Sequence, residues 1–166
     1  GPNKNGRTDN FPFSGFKGSD LHEGGIRTPF LMQWPNKIKP KTKYSKPIIS
    51  LDIFATMKSL INPELELPNE IHGKNILPYI LGEKDGVPHE DLFWKYNGRI
   101  NIVNSDTIKI PPRYAIRSGK YKMIIEEDET LLYDLNNDVS ETNNLAEFEN
   151  AIVKELRQKI MSWDSK

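Results

Sequence analysis

The sequence predicts the tail of an α/β sheet domain followed by a smaller α+β unit, and three observations predict it. Residues 29–35 form a short, almost continuously apolar run closed by Pro35, the pattern of a strand buried on both faces of a parallel sheet. From Asp91 onward, short apolar runs alternate with tight turns at the spacing of an antiparallel meander. Between Asn144 and Trp163, the residues Phe148, Ile152, Leu156, Ile160 and Trp163 recur at helical spacing and give a helix one apolar face to lay on a sheet. The change of pattern divides the chain into residues 1–90 and 91–166.

At 166 residues and 36% hydrophobic content, the chain has the material for a real core. Its formal net charge is zero, without the basic excess of a nucleic-acid binder, and no apolar run reaches the length of a bilayer span. Neither nucleic acid nor membrane is therefore an expected partner. Cysteine is absent, which excludes disulfides and thiolate catalysis, and His22, His72 and His89 are too scattered in sequence to suggest a zinc site.

The chain opens on a polar stretch, rich in glycine and asparagine, that reads as a long loop to residue 28. Its second half places four glycines, Lys17, His22, Glu23 and Arg27 within residues 15–29. Glycines let backbone approach a ligand closely, and lysine and arginine donate to an oxyanion, so the stretch reads as an anion-holding loop. A Gly-rich surface turn with solvated charges is the alternative reading. The strand over residues 30–34 then lacks neighbours, since Pro47-Ile48-Ile49 is the only other β-like run in the first ninety residues. A buried strand needs neighbours, so the expectation is that the rest of its sheet lies outside this chain.

Lysine-rich residues 36–47 read as a solvated connection. Ser50 stands where it can cap a helix with Asp52 in its first turn and an apolar face of Leu51, Phe54, Ala55, Met57, Leu60 and Ile61, ended by Asn62-Pro63. A short helical turn is expected over residues 76–81, stopped by Gly82. Strands follow over residues 92–96, 114–117, 120–125 and 130–135, with Ser118-Gly119 as a two-residue turn and an excursion of unassigned shape over residues 97–113.

In this order the landmarks form a pattern: Phe16-Lys17-Gly18-Ser19 leading to Glu23-Gly24-Gly25-Ile26-Arg27-Thr28-Pro29, a strand ending in Trp34-Pro35, Ser50-Leu51-Asp52-Ile53-Phe54, then Leu132-Tyr133-Asp134-Leu135 with Asp138, Glu141 and Asn144-Leu145-Ala146. The pattern resembles the C-terminal portion of the formylglycine-dependent sulfatases, in the alkaline-phosphatase-like superfamily, collinearly over nearly the whole chain. Two positions depart from it, Ala55 and Val139, where proline is usual.

The resemblance implies an α/β alkaline-phosphatase-like fragment: residues 1–90 are the end of the large sheet domain, and residues 91–166 are an α+β subdomain with a small antiparallel sheet and a packing helix. It implies a full-length enzyme in which a formylglycine hydrate attacks a sulfate ester beside calcium, with Lys17 contacting the sulfate and stabilising the leaving group. The implied partners are a sulfated small molecule or glycan and an N-terminal sulfatase domain, and the implied location is periplasmic or secreted. No cofactor is expected on this chain. It has no cysteine, and its Ser45-Lys46-Pro47 carries Ile49 where the nucleophile motif requires arginine. Asp9-Asn10 reads as loop and not as a calcium pair, so no metal ligand is assigned and the isolated chain is expected to be inactive.

Other residues carry two readings each. His22 is a substrate contact or an exposed loop histidine, and Glu23 and Arg27 brace the loop through an ion pair or act on substrate. Trp94, Tyr96 and Arg99 are core residues or the edge of a pocket, with core preferred. His72 and His89 read as solvated turn residues. A phosphate-ester hydrolase of the same superfamily and a non-catalytic anion-binding module stand as alternative functions.

Overall fold

The computed structural model describes residues 9–16, 21–65, 71–97, 100–103, 106–109, 111–126 and 129–165. The chain forms two compact units, one of Gly1–Pro29 with Asp91–Lys166 and one of Phe30–Glu90. Residues 21–29, expected to go with the segment that follows them, thus pack with the C-terminal sheet.

In the first unit, the helical turn α1 (Glu23–Ile26) precedes strands β1 (Asp91–Tyr96), β2 (Ile100–Val103), β3 (Asp106–Lys109), β4 (Arg113–Ser118), β5 (Tyr121–Glu126) and β6 (Glu129–Asp134). The order β1-β4-β5-β6 makes an antiparallel four-stranded sheet, in which Ala115 faces Trp94 and Ile124, and Lys122 faces Arg117 and Tyr133. Strands β2 and β3 pair as a separate antiparallel ribbon, which fills the excursion left unassigned from the sequence. The tight turn is Gly119-Lys120, one residue later than expected, with Gly119 in the left-handed region at φ 56°.

Both faces of this sheet are covered, which is why successive residues such as Ala115 and Ile116, or Met123 and Ile124, are all buried. One face packs Ile116, Met123 and Leu132 against Leu156 and Ile160 of helix α4 (Asn150–Asp164). Burying each such side chain stabilises the unit by about 1.5–3 kcal/mol. The opposite face packs Ala115, Ile124, Tyr133 and Leu135 against Leu21 and Ile26. Helix α4 starts six residues later than the expected Asn144, because Asn144 is occupied elsewhere: its Oδ1 accepts the N–H groups of Leu132 (2.9 Å) and Ala146 (3.0 Å). Phe148, assigned to the apolar face, is consequently exposed.

The second unit contains helices α2 (Leu51–Ile61) and α3 (Leu77–Ile80). The strand expected over residues 30–34 is absent, and Leu31 is 95% exposed. A strand exists through its ladder hydrogen bonds, and none of the described residues supplies a partner for this run. Ser50 makes no side-chain cap. Asp52, in the first turn, ties α2 to the chain around it, its carboxylate accepting from the backbone N–H groups of Ile49 (2.9 Å) and Lys74 (2.8 Å), with His89 Nε2 at 2.8 Å. His89 is therefore a buried partner of Asp52, not a solvated turn residue. Gly73 allows the approach, since a Cβ there would lie 2.2 Å from the Leu51 carbonyl oxygen. Of the apolar face expected on α2 only Ala55 is buried, and Leu51, Phe54, Met57, Leu60 and Ile61 are exposed.

Candidate functional site

The candidate site is built on α1 and the segment before it. Lys17 and Arg99 lie outside the described residues. The turn begins at His22, whose extended backbone leads into α1 and whose ring centroid lies 6.0 Å from that of Tyr133 at an interplanar angle of 50°. Gly24 donates its N–H to the Ser14 carbonyl at 2.7 Å, and Asn10 Nδ2 donates to the carbonyls of Gly15 (3.1 Å) and Gly24 (2.6 Å). The two strands of this knot are so close that a Cβ on Gly24 would meet the Gly15 and Ser14 carbonyl oxygens at 2.4 and 2.5 Å. Residues 14–16 and 21–24, which flank residues 17–20, are in this way held against each other.

Beneath the turn lies a buried charge network. Glu23 is inside the protein, with Oε1 3.0 Å from Lys122 Nζ and Oε2 within 3.4 Å of Arg27 and 3.8 Å of Arg117. Arg117 and Lys122 are direct cross-strand neighbours on one sheet face, where like charges repel, and the Glu23 carboxylate offsets that repulsion by reaching both. Lys122 has no exposed side-chain surface and also lies 2.9 Å from Glu141 Oε1. Glu141 in turn accepts the Glu23 backbone N–H at 2.7 Å through Oε2. Burial pushes the Glu141 carboxyl above the usual carboxylate range, opposed by the Lys122 ammonium. Burial likewise pushes the Tyr133 hydroxyl up to about 12, with Glu141 adding to the effect.

Arg27 also stacks over the Phe13 ring, 4.5 Å from its centroid. Trp94 and Tyr96 pack against the apolar cluster of the same sheet face, and His72 is exposed. Lys122 was not singled out from sequence, where it reads as a polar residue on a strand. The available signal was that a strand covered on both faces leaves a lysine nowhere to go but into an ion pair. Glu141 lies in a string of turn residues, each with a job: Asp134 accepts from Lys120 and the Asn136 N–H, Asp138 from the Thr142 and Asn143 N–H groups, and Asn144 from β6. Among the described residues no group of three or more His, Cys, Asp or Glu fits a metal ion. The Asp9 carboxylate accepts the Phe11 N–H, and Asn10 Nδ2 donates to two carbonyls.

The arrangement is a turn laid on one face of the sheet over a buried group of Glu23, Glu141, Lys122 and Arg117, and comparison with known proteins says whose it is. Residues 15–166 match the family model described as N-sulphoglucosamine sulphohydrolase, C-terminal. The chain belongs to this sulfatase family. It is 31% identical over 147 residues to a sulfatase of Formosa agariphila, covering 84% of this chain and 26% of that protein. It is 32% identical over 161 residues to an N-acetylgalactosamine-6-O-sulfatase of Bacteroides thetaiotaomicron, covering 95% of this chain and 31% of that protein. Its fold is similar to that of Ps i-CgsB, crystallised in complex with k-i-k-neocarrahexaose, with a TM-score of 0.73 at 23% identity over 93% of this chain and 32% of the other. The chain thus spans about a quarter to a third of the length of these relatives and is a C-terminal portion of a sulfatase.

Proposed function

We propose that this chain is the C-terminal part of a longer enzyme that hydrolyses sulfate esters, R–O–SO₃⁻ and water giving R–OH and hydrogen sulfate, and that it supplies one side of the sulfate site. The observation that carries the reading is the family match over residues 15–166, which takes in the turn from Leu21 to Arg27 and the sheet that anchors it. In this reading Lys17, by its position in the motif, contacts a sulfuryl oxygen and stabilises the departing alkoxide, work suited to a preorganised cation. His22 contacts substrate from the same loop, and Glu23 and Arg27 brace it. The nucleophile, its formylglycine precursor residue and the calcium ligands belong to the remainder of the protein, so the isolated chain is inactive.

A sulfated sugar is the proposed substrate class. One relative matched over 95% of this chain is an N-acetylgalactosamine-6-O-sulfatase, whereas rat steryl-sulfatase matches over 49% of it. The apolar side chains left exposed on the second unit, Phe30, Leu31, Phe54, Met57 and Ile61 among them, fit a surface that the rest of the enzyme covers.

The test is to express the full-length protein and this chain separately, with calcium, and to assay both on 4-nitrophenyl sulfate and on N-acetylgalactosamine 6-sulfate. Turnover by the full-length protein alone is expected. Hydrolysis of phosphate but not sulfate esters by the full-length protein, or turnover by the isolated chain, contradicts the reading.

A further inference from the structure

We infer that Lys122, Glu141 and Asn10 are positioning residues for the turn that carries His22 and follows Lys17, an inference that rests on the sulfatase reading of that turn. Two separate fixings meet at Glu23 and Gly24. From the sheet, the Lys122 ammonium is shared by Glu23 Oε1 (3.0 Å) and Glu141 Oε1 (2.9 Å), while Glu141 Oε2 takes the Glu23 backbone N–H (2.7 Å). From the loop, Asn10 joins the Gly15 and Gly24 carbonyls, and Gly24 joins Ser14. Glu141 therefore holds the turn at its side chain, through Lys122, and at its backbone.

The chemistry of the cluster argues for orientation as its purpose. Taking an ammonium and two carboxylates out of water is costly, and apolar side chains of similar volume hold a turn to a sheet as well or better. What charged groups add is direction, because the hydrogen bonds from Lys122 to Glu23 and from the Glu23 N–H to Glu141 each fix a donor and an acceptor at a set geometry. The cluster spans 118 residues of sequence, from Glu23 to Glu141, and ends directly beside the residues that flank positions 17–20. A site whose cations must meet a developing charge loses about a hundredfold in rate for a misplacement of about 1 Å, so an anchor of this kind is felt in turnover.

The experiment compares Lys17→Ala, Glu141→Gln and Asn10→Ala in the full-length enzyme, reading kcat and KM on 4-nitrophenyl sulfate and on an alkyl sulfate, with thermal unfolding alongside. Glu141→Gln and Asn10→Ala are expected to lower kcat about ten- to a hundredfold with little change in KM, and to lower it more for the alkyl sulfate, whose leaving group needs help. A merely structural role does not produce that leaving-group dependence. If Lys17→Ala lowers turnover while either folded positioning variant keeps the wild-type rate and leaving-group dependence, the inference is overturned and the sulfatase reading stands. Wild-type turnover in Lys17→Ala overturns the reading of the turn itself. Should Glu141→Gln fail to fold, the half-buried Asn10→Ala decides alone.

Discussion

Lys122 lies 2.9 Å from Glu141 with neither side chain reaching solvent, and so a residue of the fifth strand and a residue of the turn beyond the sixth share one buried ion pair. Glu23, from the start of the chain, completes the group.

Replacing Lys122 by methionine takes the counter-ion from the buried Glu141 carboxylate and leaves Glu23 with Arg27 and Arg117 alone. The expected loss is about 3–5 kcal/mol, the usual result of breaking a buried pair from one side. Glu141→Gln costs less, because the amide oxygen still accepts the Glu23 N–H and Lys122 keeps Glu23. Urea unfolding of the full-length protein measures both, and equal losses for the two variants contradict the assignment of Lys122 as the centre of the cluster.

Acid is expected to loosen the second unit through Asp52. Burial works to raise its pKa, but the hydrogen bonds from His89, Ile49 and Lys74 outweigh burial and hold the carboxyl below its ordinary value of 3.8. With the folded pKa depressed, the folded state binds fewer protons than the unfolded state, so stability rises with pH in this range. The contribution is fully present above the unfolded value and disappears as pH falls through the folded one. Asp52→Asn is expected to flatten the pH dependence of the unfolding midpoint below about pH 4. An unchanged slope in the variant removes Asp52 as its source.

Gly24→Ala tests the knot at the base of the turn. The new methyl would stand 2.4 and 2.5 Å from two carbonyl oxygens, and backbone cannot yield as a flexible side chain does. A cost of about 1–3 kcal/mol is expected, with a lower melting temperature, and a melting temperature equal to wild type argues that the knot opens freely.

Leu156→Ala, on the helix that covers the other face, creates a cavity against Ile116, Met123 and Leu132 and is expected to cost about 2–5 kcal/mol. This change leaves the candidate turn on the opposite face untouched, so turnover of the folded fraction is expected to stay at the wild-type value. A kinetic defect in well-folded Leu156→Ala contradicts the separation of the two faces.

Much of the first unit is legible in sequence because its signals are local. Alternation and tight turns mark the four strands of the meander, and the 3.6-residue recurrence of Ile152, Leu156 and Ile160 marks the terminal helix. What sequence reading missed is set by partners distant in the chain. Lys122 reads only as a polar strand residue until Glu23 and Glu141 arrive from ninety-nine residues before it and from the turn beyond the sixth strand. His89 reads as exposed until Asp52, thirty-seven residues away, is placed beside it. Residues 30–34 show the reverse error: an apolar run has the composition of a buried strand, but a strand also needs a ladder, and none of the described residues provides it. The roles of His22, Glu23 and Arg27 in chemistry are a matter of substrate, which no pattern of residues contains.

The most direct test of the account is the turnover of Lys17→Ala in the full-length protein on 4-nitrophenyl sulfate. The account expects kcat to fall about a hundred- to a thousandfold, as when one preorganised donor to a developing oxyanion is removed, with the protein still folded. Wild-type turnover in the folded variant would contradict it.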